Sequence, residues 1–430
     1  MALSLRYAKP KRNFLKEASI MNSGDTAWVL TASALVLLMT IPGLAFFYGG
    51  LVRRKNVLSI LMQCFIIVCV ISLQWVLFGY SLAFGPDFHG IIGTLEWAGL
   101  AGVGAAPNSN YAATIPHSAF MIFQAMFAVI TPALIIGAYA ERVKFPAFLL
   151  FTVLWATFVY DPLAHWVWGA GGWLKSLGGL DFAGGIVVHV SSGISALVLA
   201  LLLGKRIGYN HKPIRPHNLP FTVLGAALLW FGWFGFNAGS ALAADGLAAT
   251  AFVNTNTATA AAGLAWALIE WRHNGSPTIL GAATGAVAGL VAITPACGFV
   301  NPMNAMLIGI IVAFVCYIAV AVMKGKLGYD DSLDAFGVHG VGGTVGTLLT
   351  GIFAQKAINP AGADGLLFGN LHTFGIQCLM LVVTVVFAAI MTFILFKIVD
   401  AAIGMRVEEK NEIIGLDLTQ QSEAAYTVIE

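Results

Sequence analysis

Two stretches decide the fold, DFAGGIVVHVSSG at residues 181–193 and DAFGVHGVGGTVG at residues 334–346. Each opens on an aspartate, runs through small residues and carries one histidine inside an otherwise apolar segment; the two stand five hydrophobic segments apart, in the fifth and the tenth. A second echo has the same spacing: GLAFFYGGL (43–51) lies in the first segment and WFGWFGFNAGS (230–240) in the sixth. Because five is odd, the second copy must cross its surrounding layer in the opposite sense, the inverted-repeat plan that puts a path near the midplane between two halves.

That layer is a bilayer. The chain of 430 residues is 59% hydrophobic and 10% charged, with mean hydropathy +0.85, far more apolar than a soluble domain. A span needs about 20 apolar residues, and eleven stretches qualify: 26–50, 57–84, 118–140, 146–168, 184–204, 220–242, 250–271, 277–297, 303–323, 334–355 and 372–400. They are continuously apolar rather than alternating, which excludes a β-barrel. The expected fold is an all-α polytopic membrane protein of eleven transmembrane helices, two inverted five-helix repeats (26–204 and 220–355) plus a final helix (372–400).

Lysine and arginine set the orientation. One set of connections holds Arg53, Arg54, Lys55, Arg142, Lys144, Lys205, Arg206, Lys212, Arg215, Arg272, Lys324 and Lys326, with Lys397, Arg406 and Lys410 at the end; the other holds Lys175 and Lys356. The first set is expected in the cytoplasm with the C-terminal tail, 401–430, which puts the N-terminal tail, 1–23, outside. Arg6, Lys9, Lys11, Arg12 and Lys16 in that tail argue the other way but are outvoted. No apolar signal-peptide core precedes Met21, so the segment reads as a tail, an upstream start or an addition.

Several function classes fall away. A net charge of +2, spread between apolar runs, gives no field for nucleic acid. The 48 glycines have no collagen period and suit close helix contact. Five cysteines without a CxxC pair read as small core residues. No third ligand stands at metal spacing beside either histidine, so neither metal nor other cofactor is expected.

His189 and His339 lie deep in apolar spans, where an ionisable group is a functional candidate. The plainer alternative for each is a neutral imidazole bonded to a carbonyl; recurrence at matching repeat positions favours function. A neutral imidazole offers one donor and one acceptor, suiting a small molecule with N–H groups and a lone pair. Asp181 and Asp334 read either as helix N-caps or, for Asp181, as a buried carboxylate that shapes the outer path. Phe123, Phe127, Trp168 and Phe236 cluster at outer helix ends with Ser240 nearby. Taken singly they are belt or packing residues; together, ring faces around a hydroxyl make a cation site at about 0.5–2 kcal/mol per contact.

These residues sit in longer segments that resemble the ammonium transporter family (Amt/Mep/Rh), its prokaryotic Amt branch in particular: PGLAFFYGGLVRRKNVLS (42–59), IIGAYAERVKF (135–145), AHWVWG (164–169), GKRIGYN (204–210), PHNLP (216–220), AFVNT (251–255) and the two histidine stretches, within about 24–417. The resemblance implies a homotrimer with one pore per subunit. It assigns Phe127, Trp168 and Ser240 to external ammonium recruitment, Phe127 and Phe236 to the gate, and His189 and His339 to a twin-histidine pore. Trp233 and Thr294 fall at pore-adjacent positions and Asp181 at the carboxylate near the recruitment site. Trp168 and Ser240 favour the Amt over the Rhesus branch.

A bare ammonium ion is expensive in an apolar pore, whereas ammonia needs only modest compensation. Expected chemistry is therefore recruitment outside, deprotonation at the gate and ammonia transfer past the histidines, with potassium rejected because it cannot shed a proton. The tail resembles the family's tail, which packs under the trimer and engages PII-type signalling proteins. The competing class is an ammonium receptor using the same outer site; the tail is short for an output domain. An enzyme would need a metal triad or activated nucleophile, and none is legible.

Overall fold

The computed structural model describes residues 21–211 and 214–426; the expected tail up to residue 20 lies outside them, as does Lys212. Among the described residues, eleven long helices follow the expected order. They are α1 Ser23–Leu51, α2 Arg54–Phe84, α3 His117–Tyr139, α4 residues 145–168, α5 Gly185–Leu203, α6 Leu219–Gly239, α7 Gly246–Asn274, α8 Ile279–Ile293, α9 Pro302–Leu327, α10 Phe336–Phe353 and α11 Leu371–Ile403. All begin and end within about four residues of the sequence expectation, α8 stopping at Ile293 where 297 was expected. Pro295 ends it, and Asn254 of α7 holds the break by donating to the carbonyl oxygens of Cys297 (2.8 Å) and Val300 (2.6 Å).

Helix α3 sits in the centre and is buried along almost its whole length. Helices α5 and α10, one from each repeat, cross beside it. Glycine makes that crossing possible: a Cβ on Gly193 would overlap the backbone N and Cα of Gly340, and one on Gly343 would come 2.9 Å from His189 Cβ. The Gly285 and Gly289 stripe of α8 packs on α7 within the same subunit, against the Ala262 and Ala258 carbonyls.

Each crossing helix opens with a wide turn that contains its histidine, Gly185–Val190 and Phe336–Gly340. Ahead of α5, Asp181 accepts from the amides of Gly184, Gly185, Ile186 and Val187 at 2.6–3.2 Å. Its counterpart before α10 is Asp331, which accepts from Ala335 (3.1 Å) and Phe336 (2.7 Å). Here the structure corrects the sequence reading, which matched Asp181 with Asp334. Both helix-opening aspartates lie eight residues before their histidine, whereas Asp334 pairs outward with Lys324 at 2.6 Å.

The lysine-rich connections form one face, called the basic face here. Beneath it a buried charge network joins the halves: Arg206 binds Asp330 (2.8 Å) and Glu141 (3.2 Å), Arg142 binds Asp330 (3.3 Å), and Arg53 binds Glu141 (2.8 Å). Burial alone would raise the Asp330 and Glu141 carboxyls; Arg206, with Arg142 and Arg53, outweighs it and holds both below the usual range.

The described part of the tail packs on its own subunit. Two short helices, α12 Glu409–Ile414 and α13 Leu416–Gln420, strap the connections of the first half. Arg406 donates to the Leu203 and Lys205 carbonyls and pairs with Glu412 at 2.8 Å, Glu412 accepts from Ile207 N, and Asp417 accepts from Ser59 N in the first turn of α2.

Candidate functional site

Five rings form a continuous column through the centre. Trp168 stands edge-on to Phe127 (centroids 5.8 Å apart, 88°), and Phe127 stacks on Phe236 at 4.2 Å. Phe236 lies 6.1 Å from His189, and His189 stacks at 5.3 Å on His339. The imidazoles meet through their Nδ1 atoms, 3.3 Å apart, so one nitrogen donates and the other accepts. His189 Nε2 is buried without a protein partner among the described residues. Trp233 flanks the column, stacked on His189 at 5.4 Å, and donates through Nε1 to Thr294 Oγ1 at 2.9 Å. Thr294 is thereby a support for Trp233, itself anchored to the Leu290 carbonyl.

A cavity approaches each end. The one away from the basic face holds about 370 Å³ and is lined by Phe127, Trp168, Asp181, Ser240 and Gln124 among others. The one toward the basic face holds about 190 Å³ and reaches His339, with Tyr48, Trp266, Glu270 and Asp334 in its wall. Phe127, Phe236 and His189, each at most 1% exposed, fill the interval.

The polar atoms of the outer cavity are mostly committed. Trp168 Nε1 donates to the Asp181 carbonyl at 2.9 Å, and Ser240 donates to the Phe236 carbonyl at 2.9 Å, which leaves the Ser240 lone pairs for a hydrogen-bond donor. Lys175 is turned to the Trp168 carbonyl at 3.0 Å. Gln124 Oε1 has no partner among the described residues and adds an acceptor that the sequence reading missed. Its only signal was position: three residues before Phe127 puts it on the same face of α3.

The structure thus brings together Phe127, Trp168, Ser240, Phe236, His189, His339, Trp233 and Thr294, with Asp181 as a helix-organising carboxylate that faces inward on four amides. Asp181→Asn replaces one accepting oxygen by a donor aimed at amide hydrogens. The expected cost is about 2–4 kcal/mol, seen as a lowered unfolding temperature in detergent; a temperature equal to that of the parent protein would contradict this role.

Residues 27–426 match the Ammonium Transporter Family model. The chain is 56% identical to an ammonium transporter of Bacillus subtilis over 406 residues, 94% of this chain and 99% of that protein. Among solved structures, Saccharomyces cerevisiae Mep2 superposes with TM-score 0.86 at 38% identity, covering 91% of this chain and 88% of that one. A structure described as a sensor Amt protein does so with TM-score 0.85 at 31% identity, covering 94% and 99%. Its relatives being transporters rather than enzymes, this multi-pass membrane protein belongs to the ammonium transporter family.

Proposed function

We propose that the protein moves ammonium across the membrane as ammonia. Ammonium is recruited in the outer cavity, where the Phe127 and Trp168 rings supply cation–π attraction and Ser240 and Gln124 accept N–H bonds. It gives up its proton at the Phe127–Phe236 gate, and ammonia passes along His189 and His339 while Trp233, held by Thr294, walls the path. The observation that carries this reading is the dry column itself: two cavities end on opposite sides of stacked phenyl and imidazole rings, an interval hostile to an unpaired cation. A neutral imidazole pair sharing one hydrogen can both donate to and accept from ammonia.

The same reading places the basic face and the tail in the cytoplasm and residues 1–23 outside, with 24–400 as the transporting domain in a plasma membrane. The assembly is a homotrimer embedded in lipid, and the strapped tail offers a surface for a PII-type protein. The receptor alternative gains nothing from the tail, which folds onto its own subunit. Radiolabelled methylammonium uptake into proteoliposomes at controlled voltage and pH tests the proposal: saturable flux supports it, and saturable binding without flux would select the receptor.

A further inference from the structure

The recruitment cavity depends on where Trp168 stands, and Trp168 is fixed from one turn back on its own helix. His165, three residues earlier on α4, is fully buried. Its Nδ1 faces the Ala83 carbonyl oxygen at 3.0 Å, and its Nε2 faces Asp87 Oδ1 at 2.8 Å. A carbonyl and an ionised carboxylate can only accept, and a neutral imidazole has a single N–H. Filling both contacts needs one more proton than a neutral imidazole beside a carboxylate possesses.

The segment around Trp168 is fastened to the same place. Asp87–Phe88 (β1) pairs antiparallel with Ile92–Gly93 (β2) in a small hairpin after α2. Asp87 Oδ1 also accepts from Gly90 N at 2.8 Å, closing that hairpin. Gly171, at φ +94°, passes so near that a Cβ would lie 2.7 Å from Asp87 Cβ and Cγ. Trp166 Nε1 donates to the Ile91 carbonyl at 2.7 Å, and the Tyr111 hydroxyl accepts from Ala170 N at 3.1 Å while donating to Phe84 O at 2.6 Å. Ionisable groups on the elements packed about the pair include buried Asp161, one turn earlier on α4, which accepts from Gln74 at 2.8 Å, the Tyr111 hydroxyl, the exposed His89 of the hairpin, and Lys175, which donates to the Trp168 carbonyl.

We propose that His165 and Asp87 form a proton-holding clamp that positions Trp168, making substrate recruitment depend on the pH of the outer face. His165 is a positioning residue, since it touches neither the cavity nor the ring column. When the extra proton leaves, a lone pair must face either Ala83 O or Asp87, the hairpin loosens from residues 169–172, and Trp168 loses its fixed angle to Phe127. The proposal rests on the recruitment role of Trp168 given above.

The test uses proteoliposomes of the intact protein, Asp87→Asn and His165→Phe. It reads methylammonium uptake against outer pH and, on the same preparations, hydrogen–deuterium exchange of residues 164–176 corrected for intrinsic rate. In the intact protein the apparent KM is expected to rise as protection of the segment falls, both on raising pH. In Asp87→Asn, which removes the carboxylate facing Nε2, both profiles are expected to differ from those of the intact protein. His165→Phe raises KM several-fold at every pH and flattens the profile while leaving the maximal rate nearly unchanged. Coincident profiles for the intact protein and Asp87→Asn would overturn the clamp, as would an unaltered KM in a folded His165→Phe; should that variant not fold, Asp87→Asn decides. Exchange that titrates as described without any uptake would keep the clamp and reject transport.

Discussion

His189→Ala and His339→Ala are each expected to conduct potassium, which the proposed neutral transfer excludes. The imidazoles fill the interval between the two cavities, and His339 already borders the inner one. Truncating either ring leaves space for water, and a hydrated cation no longer pays the desolvation cost of many kcal/mol that the dry column imposes. Ammonium current should persist or grow in these variants, with its discrimination against potassium collapsing. Current recorded across planar bilayers with ammonium and then potassium as the permeant cation gives the answer. If both variants exclude potassium as the intact protein does, neutral transfer is not the source of selectivity.

Gly193→Leu is expected to leave little folded protein. Even the first carbon of the side chain overlaps backbone atoms of Gly340, and backbone cannot swing aside as a flexible side chain does. Overpacking of cores costs about 1–3 kcal/mol when side chains can adjust; here α5 and α10 would have to separate, taking His189 and His339 with them. The check is the fraction eluting as a single species from size exclusion in detergent, together with its unfolding temperature. A variant that elutes and melts like the parent would mean the two helices do not meet as described. Gly343→Leu, which would press on His189 Cβ, should behave alike.

Most of the plan was legible because membrane helices announce themselves by long apolar runs, and because charged residues cannot hide among them. The twin histidines stood out for the same reason. What escaped depended on register and on contacts distant in sequence. Asp334 sits at the head of the second histidine stretch and looked like the partner of Asp181, yet Asp331 caps α10 from outside the quoted motif. Gln124 is an unremarkable polar residue until α3 brings it into the wall of the outer cavity. Asp87 lies in a loop 78 positions from His165, and only the folded chain joins them. Packing of the tail was expected from resemblance alone, and its contacts were not legible, since Asp417 finds its partner at Ser59, 358 residues away.

Two copies related by an axis in the membrane plane have no direction of their own: what enters from one side meets the mirror order of what enters from the other. The phenyl pair breaks that equivalence, standing on one flank of the imidazoles alone, and so does a tail whose described residues grip loops of the first copy and the link between the copies. Any rectification, a difference between influx and efflux under equal and opposite gradients, has to originate in those departures from sameness.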